Sequence, residues 1–269
     1  MLFWPADYEN MIAQIKNIFR YSELLGALLV RGFQAKYKNS FLGILWALLN
    51  PLFNVLIFSF VFTVIFKVGI KDYPLYLLCA VFPWNFFHSG LTNSVVSIVE
   101  DSSFVKNTHF PLEIIPLAVV AVNFVNFLIE LAVLLVFLFF LGRWPQGVLW
   151  FYLPVLAFTE FILVSALSVF SSGVFVLFRD FNFILNFFLR LFFYFVPVVY
   201  TMEFVPHKWH SLYLLNPLAV IIDGFTRVFF FNRAPSVPGL ASALFSSGMI
   251  FIFCFWAFNK MKRHIPERL

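Results

Sequence analysis

The sequence predicts an all-α integral membrane protein. It should have six transmembrane helices, an N-terminal interfacial amphipathic helix and an external re-entrant helical hairpin before the last span. Three observations carry this. Apolar residues make up 62% of the chain and charged residues only 12%, where a soluble globule carries about 25% charged residues. Mean hydropathy is +0.93. The apolar residues gather in runs of about 20, the length a helix needs to cross the hydrocarbon core.

Residues 11–38 come first. Ile12, Ile15, Ile18, Phe19, Leu25, Leu28 and Leu29 recur near helical spacing, with Lys16, Asn17, Arg20 and Glu23 between them. This is an amphipathic helix suited to the inner membrane surface or to a neighbouring subunit. The start has no short apolar core followed by small residues, so no cleavable signal is expected. Clear spans follow at 41–66, 75–99, 112–141, 148–178 and 239–258. A further span, 181–200, holds Arg190 and Pro197 but is otherwise apolar. Residues 204–231 are cut by Pro206 and by Asn216-Pro217 into pieces too short to cross alone, because proline breaks helices.

Lysine and arginine set the orientation. Lys16, Arg20, Arg31, Lys36 and Lys38 precede the first span, and Lys260, Lys262, Arg263 and Arg268 follow the last. Both termini are therefore expected in the cytoplasm, which requires an even number of crossings. With the hairpin entering and leaving on the outer side, eleven basic residues lie inside and six outside. A full crossing by 219–231 would instead put the basic tail outside.

Polar groups in lipid are costly and should face protein or water. Several fall on one helix face. Trp46, Asn50 and Asn54 do so on the first span, and Asn85, Ser89 and Thr92 or Asn93 on the second. Asn123, Asn126 and Glu130 share a face of the third, while Glu160 and then Ser165, Ser168 and Ser172 lie on the fourth. Asn182, Asn186, Arg190 and Tyr194 follow on the fifth. The serines and Asn123/Asn126 suit contacts between helices. Glu130 or Glu160 is expected to pair with Arg190. Amides alternate with rings on the first and fifth spans, which makes Trp46, Asn50, Phe53, Asn54, Asn182, Asn186, Arg190, Tyr194 and Tyr200 candidates for lining a hydrated pathway. Amides bond sugar hydroxyls and rings pack against sugar C–H faces, with no single contact strong.

No phosphate-binding loop of the Walker type occurs, so ATP is not expected on this chain. His207 and His210 lack the further ligands of a metal site, and Cys79 and Cys254 form no disulfide framework. No catalytic cluster supports a membrane transferase. Glu130, Glu160 and Arg190 are the features that keep an ion-coupled transporter in view. Juxtamembrane basic residues need no nucleic acid to explain them. The loop 100–116 reads EDSSFVKNTHFPLEIIP. A serine can cap a short helix there, and its aromatics could anchor in a partner's pocket or dip into lipid.

The run RGFQAKYKNSFLGILWALLNP at 31–51 resembles the entry to the first span of type-2 ABC exporter permeases. The run FPWNFF at 82–87, the loop at 104–116, Arg179-Asp180 and Leu215-Asn216-Pro217 are similar to that family in the same order. The polysaccharide branch, with its O-antigen, capsule and teichoic-acid permeases, is the nearest. The resemblance implies a homodimer of permeases with two ATP-binding cassette subunits, which bind the ATP and magnesium; this chain needs no cofactor of its own. It makes 103–111 the ATPase-coupling helix, through Ser103, Phe104, Val105, Lys106, Phe110 and Pro111. It makes 204–231 an external gate bending at Asn216 and Pro217. It places the chain in a bacterial inner membrane, exporting a lipid-linked, O-antigen-like polysaccharide between the two permeases. The competing implication is an exporter of the same architecture for a small amphipathic drug or lipid.

Overall fold

The computed structural model describes residues 20–37, 45–65, 67, 69–102, 104 and 110–268, whose regular secondary structure is all helical, with no strand among them. In chain order the helices are α1 (Ser22–Tyr37), α2 (Leu45–Phe60), α3 (Tyr73–Val95), α4 (Ser97–Glu100), α5 (Ile114–Phe140), α6 (Leu149–Leu177), α7 (Phe181–Phe192), α8 (His207–Leu215), α9 (Pro217–Phe229), α10 (Val237–Lys262) and α11 (Ile265–Arg268). A π-helical turn, Val61–Ile65, extends α2, and a 3-10 turn, Phe193–Phe195, extends α7. The expected spans overlap α2, α3, α5, α6, α7 and α10, with ends shifted by a few residues. Three of these, α5, α6 and α10, are long and apolar enough to cross a membrane by length and composition.

Helix α3 occupies the centre. It is apolar over most of its circumference, with Asn85, Ser89 and Asn93 along one stripe, and its apolar sides are covered by other helices. It packs on α5, α6, α2 and α9. Phe82, Phe86, Trp84 and Leu77 are all buried. Phe86 stacks on Phe127 of α5 at 5.2 Å, and Phe127 meets Phe225 of α9 edge-on at 5.7 Å. The most extensive pairing joins α6 to α10. Asn93 of α3 donates to Asn123 of α5 at 3.1 Å, and Ser168 of α6 donates to the Gly90 carbonyl at 3.3 Å. These bonds satisfy polar groups that lipid would leave bare.

Helix α7 ends earlier than the sequence predicts. A span was expected over 181–200, but the helix and its 3-10 turn stop at Phe195. Val196 is extended, with φ −118° and ψ 150°, as a residue before proline prefers. The following turn hangs on two tyrosines of α3. Tyr73 donates to the Val199 carbonyl at 2.7 Å. The Tyr76 hydroxyl is shared between the carbonyls of Pro197, at 3.0 Å, and Tyr200, at 2.5 Å.

The apolar stripe of α1 covers α5 of its own chain. Leu24, Leu25 and Leu28 pack around Phe110, Ile114 and Ile115, and Gly32 lies against Val122. The sequence suggested a membrane surface or another subunit for this stripe. Ion pairs mark the two ends of the bundle. Arg31–Asp101 and Lys262–Glu113 gather α1, the start of α5 and the end of α10 at one end. Arg143–Asp72 and the tyrosine-held turn lie at the other.

Two glycines permit the closest helix approaches. A Cβ on Gly90 would stand 2.5 Å from Val164 Cγ1, and one on Gly224 would stand 2.6 Å from Leu156 Cδ2. Val164 is β-branched and cannot swing aside cheaply. Gly90→Ala should therefore lower the melting temperature of the detergent-purified protein, through an overpacking cost of about 1–3 kcal/mol. Gly248→Ala, with nothing within 4 Å of the new atom, should leave it nearly unchanged. Equal melting curves for the two variants would show that α3 and α6 are not closely held.

Candidate functional site

The residues with chemistry on offer fall into three groups: an exposed wall, a bent hairpin at one end, and a tethered loop at the other.

The wall is built by α2 and α7. Both carry apolar and aromatic side chains on faces that no other helix covers: Trp46, Phe53 and Phe60 on α2, Phe183, Phe187 and Tyr194 on α7. The two helices meet where Phe58 stacks on Phe193 at 5.6 Å. Behind them Trp84 of α3 packs edge-on against Phe193 at 5.2 Å. Asn54 and Arg190 are also exposed, while Asn182, Asn186 and Tyr200 are half-buried. The two asparagines bond each other, Asn186 Nδ2 donating to Asn182 Oδ1 at 2.9 Å. Tyr200 is fixed by its own hydroxyl, which donates to the Tyr194 carbonyl at 2.9 Å and meets the Tyr213 hydroxyl at 2.7 Å. The side chain of Asn50 lies outside the described residues. The structure thus brings candidates from the first and fifth expected spans into one surface.

It does not bring Arg190 to either carboxylate. Among the described residues no ion pair joins Arg190 to Glu130 or Glu160. Arg190 sits on the exposed side of α7, where its charge reaches His88 of α3. Glu130 is buried between helices and stands within electrostatic reach of Lys36 from α1. Glu160 is 0% exposed, its two oxygens accept no hydrogen bond, and its nearest charge is Glu130. The expected pairing fails because α7 turns its polar ladder away from α5 and α6. A buried carboxyl without a partner is tolerable only in its neutral form.

The hairpin consists of α8 and α9, which meet at 105°. Asn216 makes the bend. Its Oδ1 accepts from the backbone N–H of Leu218 at 3.1 Å and of Ala219 at 3.4 Å, a standard N-cap. Pro217 follows in the first helical position, where its missing N–H costs nothing. The α9 arm packs on α3, α6 and α10, and α8 is exposed along most of its length. Beside α9, Thr201, Glu203, Asp223, Arg227, Phe231 and Arg233 line a shallow cleft. Asp223 pairs with Arg227 at 2.5 Å. Burial pushes the Asp223 carboxyl above the usual range, and Arg227 partly offsets this. His207 and His210 lie with rings 4.8 Å apart, and no group of three ligands forms among the described residues.

At the opposite end lies the loop between α4 and α5. Ser103, Val105 and Lys106 fall outside the described residues. Phe104 is half-buried and rests on Phe110 with ring centroids 5.1 Å apart. Phe110 is only 4% exposed, enclosed by Ile114, Ile115 and the α1 leucines; Pro111 is buried beside it. Phe110 therefore anchors the loop to its own chain and does not offer its ring outward.

Sequence reasoning missed the charges flanking this loop. Asp101, before it, pairs with Arg31 of α1. Glu113, after it, pairs with Lys262 at the end of α10 at 3.6 Å. No local pattern links residues so far apart in the chain. The tyrosine anchors, Tyr73 and Tyr76, were missed for the same reason.

Comparison with known proteins bears on the chain as a whole. Two O-antigen export system permease proteins RfbA of Klebsiella pneumoniae are 31% and 32% identical, each over 94% of this chain and 97% of the relative. The RfbA permease of Myxococcus xanthus is 28% identical over 92% of this chain and 94% of its own length. The family described as ABC-2 type transporter matches residues 23–230, most of the chain. The chain is a permease subunit of that family: it belongs to the ABC-2 type transporters.

Proposed function

We propose that this chain is the channel-forming permease of an ATP-driven exporter that moves a lipid-linked, O-antigen-like polysaccharide out of the cytoplasm across a bacterial inner membrane. The observation that carries this is the wall of α2 and α7, where rings and amides are exposed side by side. Such a surface would be costly facing lipid alone, because Asn54 and Arg190 lie within it. Facing a second copy across a hydrated gap, it becomes one side of a sugar-compatible passage. Flat rings pack against the C–H faces of sugars and amides bond their hydroxyls. Because each contact is weak, the polymer can be held without being trapped.

In this reading α2, α3, α5, α6, α7 and α10 make six crossings. The short α7 completes its crossing with the tyrosine-held turn. The α8–α9 hairpin re-enters from outside as a gate bent at Asn216. Both termini and the 103–111 segment face the cytoplasm, and α1 lies at that interface. The clustering of the α10 end, α1 and this loop at one end of the bundle supports it. Two copies work with two ATPase subunits, which hold ATP and magnesium. Phe104, braced by Phe110, offers the exposed edge of its ring to the ATPase.

Three outcomes are expected. Phe104→Ala should cut polymer-stimulated ATP hydrolysis by the purified complex and slow export by about tenfold, the effect of losing about 1.4 kcal/mol at an interface anchor. Undiminished stimulation would remove Phe104 from the coupling contact. Trp46→Ala and Tyr194→Ala should shorten or slow exported polymer, measured on labelled chains in inverted vesicles, while ATPase binding is retained. Single cysteines at Asn232 and His264 should label oppositely in intact cells, the first from outside and the second only after permeabilisation. The native Cys79 and Cys254 are buried and should give little background. External labelling at His264 would overturn the six-crossing arrangement.

A further inference from the structure

We propose that the Glu113–Lys262 ion pair is a tether that makes the coupling segment and the C-terminal helix α10 move as one body, delivering displacement of that segment to α6. This rests on the coupling role proposed above for 103–111.

Glu113 is the N-cap residue of α5, shortly after Phe110 and Pro111, and Lys262 is the last residue of α10. Their side chains are 1% and 7% exposed and lie 3.6 Å apart. Neither oxygen of the Glu113 carboxylate accepts a hydrogen bond, so Lys262 supplies its compensating charge. Ile98, Leu112, Leu117, Phe255 and Phe258 close an apolar cluster around this end. From Lys262 the path continues into the most extensive helix pairing in the chain, α10 on α6, where Phe258 lies over Gly173.

A buried ion pair is a poor way to add stability, since apolar residues of similar size serve as well. What it adds is directional. Apolar contact is non-directional, and two greasy helices can slide by a fraction of a turn at little cost. Displacing Lys262 leaves the buried Glu113 carboxylate without its compensating charge in an apolar setting. The pair therefore resists slippage between the α5 start and the α10 end. The other flank differs. Arg31–Asp101 is solvent-exposed on the arginine side, and an exposed pair yields easily. Force entering the loop therefore has a buried charged route to α10, while its route to α1 runs through the apolar packing of Phe110 and an exposed ion pair.

The test uses the assembled complex with its ATPase subunits, recording ATP hydrolysis and polymer export together. Glu113→Gln combined with Lys262→Met should keep stimulated hydrolysis near wild type. Export per ATP should fall by about tenfold, within the range of coupling between linked sites. The exchanged pair, Glu113→Lys with Lys262→Glu, should recover most of the export per ATP. Asp101→Asn with Arg31→Gln should change neither quantity. Unchanged export per ATP in the neutral double variant overturns the tether. So does a fall in both activities proportional to a lowered melting temperature, or a failure of both double variants to fold, because the pair would then serve the bundle itself. If Phe104→Ala is silent while the neutral variant uncouples, the coupling contact is wrong and the tether stands. If Phe104→Ala uncouples while the neutral variant is silent, only the tether falls.

Discussion

Everything in this bundle is arranged around a helix whose apolar sides are all covered, with only the stripe of Asn85, Ser89 and Asn93 in part uncovered. Helix α3 is buried along nearly its whole length. An apolar cylinder of that kind is stable only when other helices surround it. α5, α6, α2 and α9 do so. Gly90 and Gly224 set how near those neighbours come, and Asn93 and Ser168 give the contacts their register. With α3 as a hub, the outward faces of α2 and α7 are left open, and these carry the proposed channel chemistry. The exposed wall follows from the topology as much as from its own residues: a helix braced from behind by Trp84 and Phe193 can leave its front bare.

The bent hairpin shows how little sequence such a feature needs. One side chain, Asn216, satisfies two N–H groups that a helix start would otherwise leave open. One proline starts the helix in the right direction. In a membrane setting these two residues let the chain reverse without exposing backbone polar groups, which is the constraint that governs all non-helical structure at that depth.

Most of the helical layout was legible because it depends on local quantities. Apolar run length, helix-breaking prolines and the Asn216-Pro217 signal are all read within a few residues. The overlap of the expected spans with α3, α5, α6 and α10 follows. Helix α7 was misjudged because composition continues past Phe195 while the backbone is turned by Pro197. Candidate residues were legible as exposed where the reading depends on one face of one helix, as at Trp46, Phe53 and Tyr194. Where it depends on which helices are neighbours, the sequence was silent. Arg190 was assigned a carboxylate partner on hydropathy grounds, yet α7 faces it away. Phe110 looks like an exposed anchor in one dimension and is a core residue in three. The proposed substrate class rests on the names of the relatives, since no single residue specifies it.

The hydroxyls of Tyr73 and Tyr76 have a consequence for where the passage can change shape. They fasten the turn after α7 to the buried central helix α3, and Tyr200 sits in that turn, bonded to Tyr194 and Tyr213. The outer lip of the wall is thereby fixed to the hub. In the proposed channel between two protomers, dilation of the aperture would have to arise below this turn or by separation of the protomers as units, with the rim holding constant bore like the muzzle of a barrel.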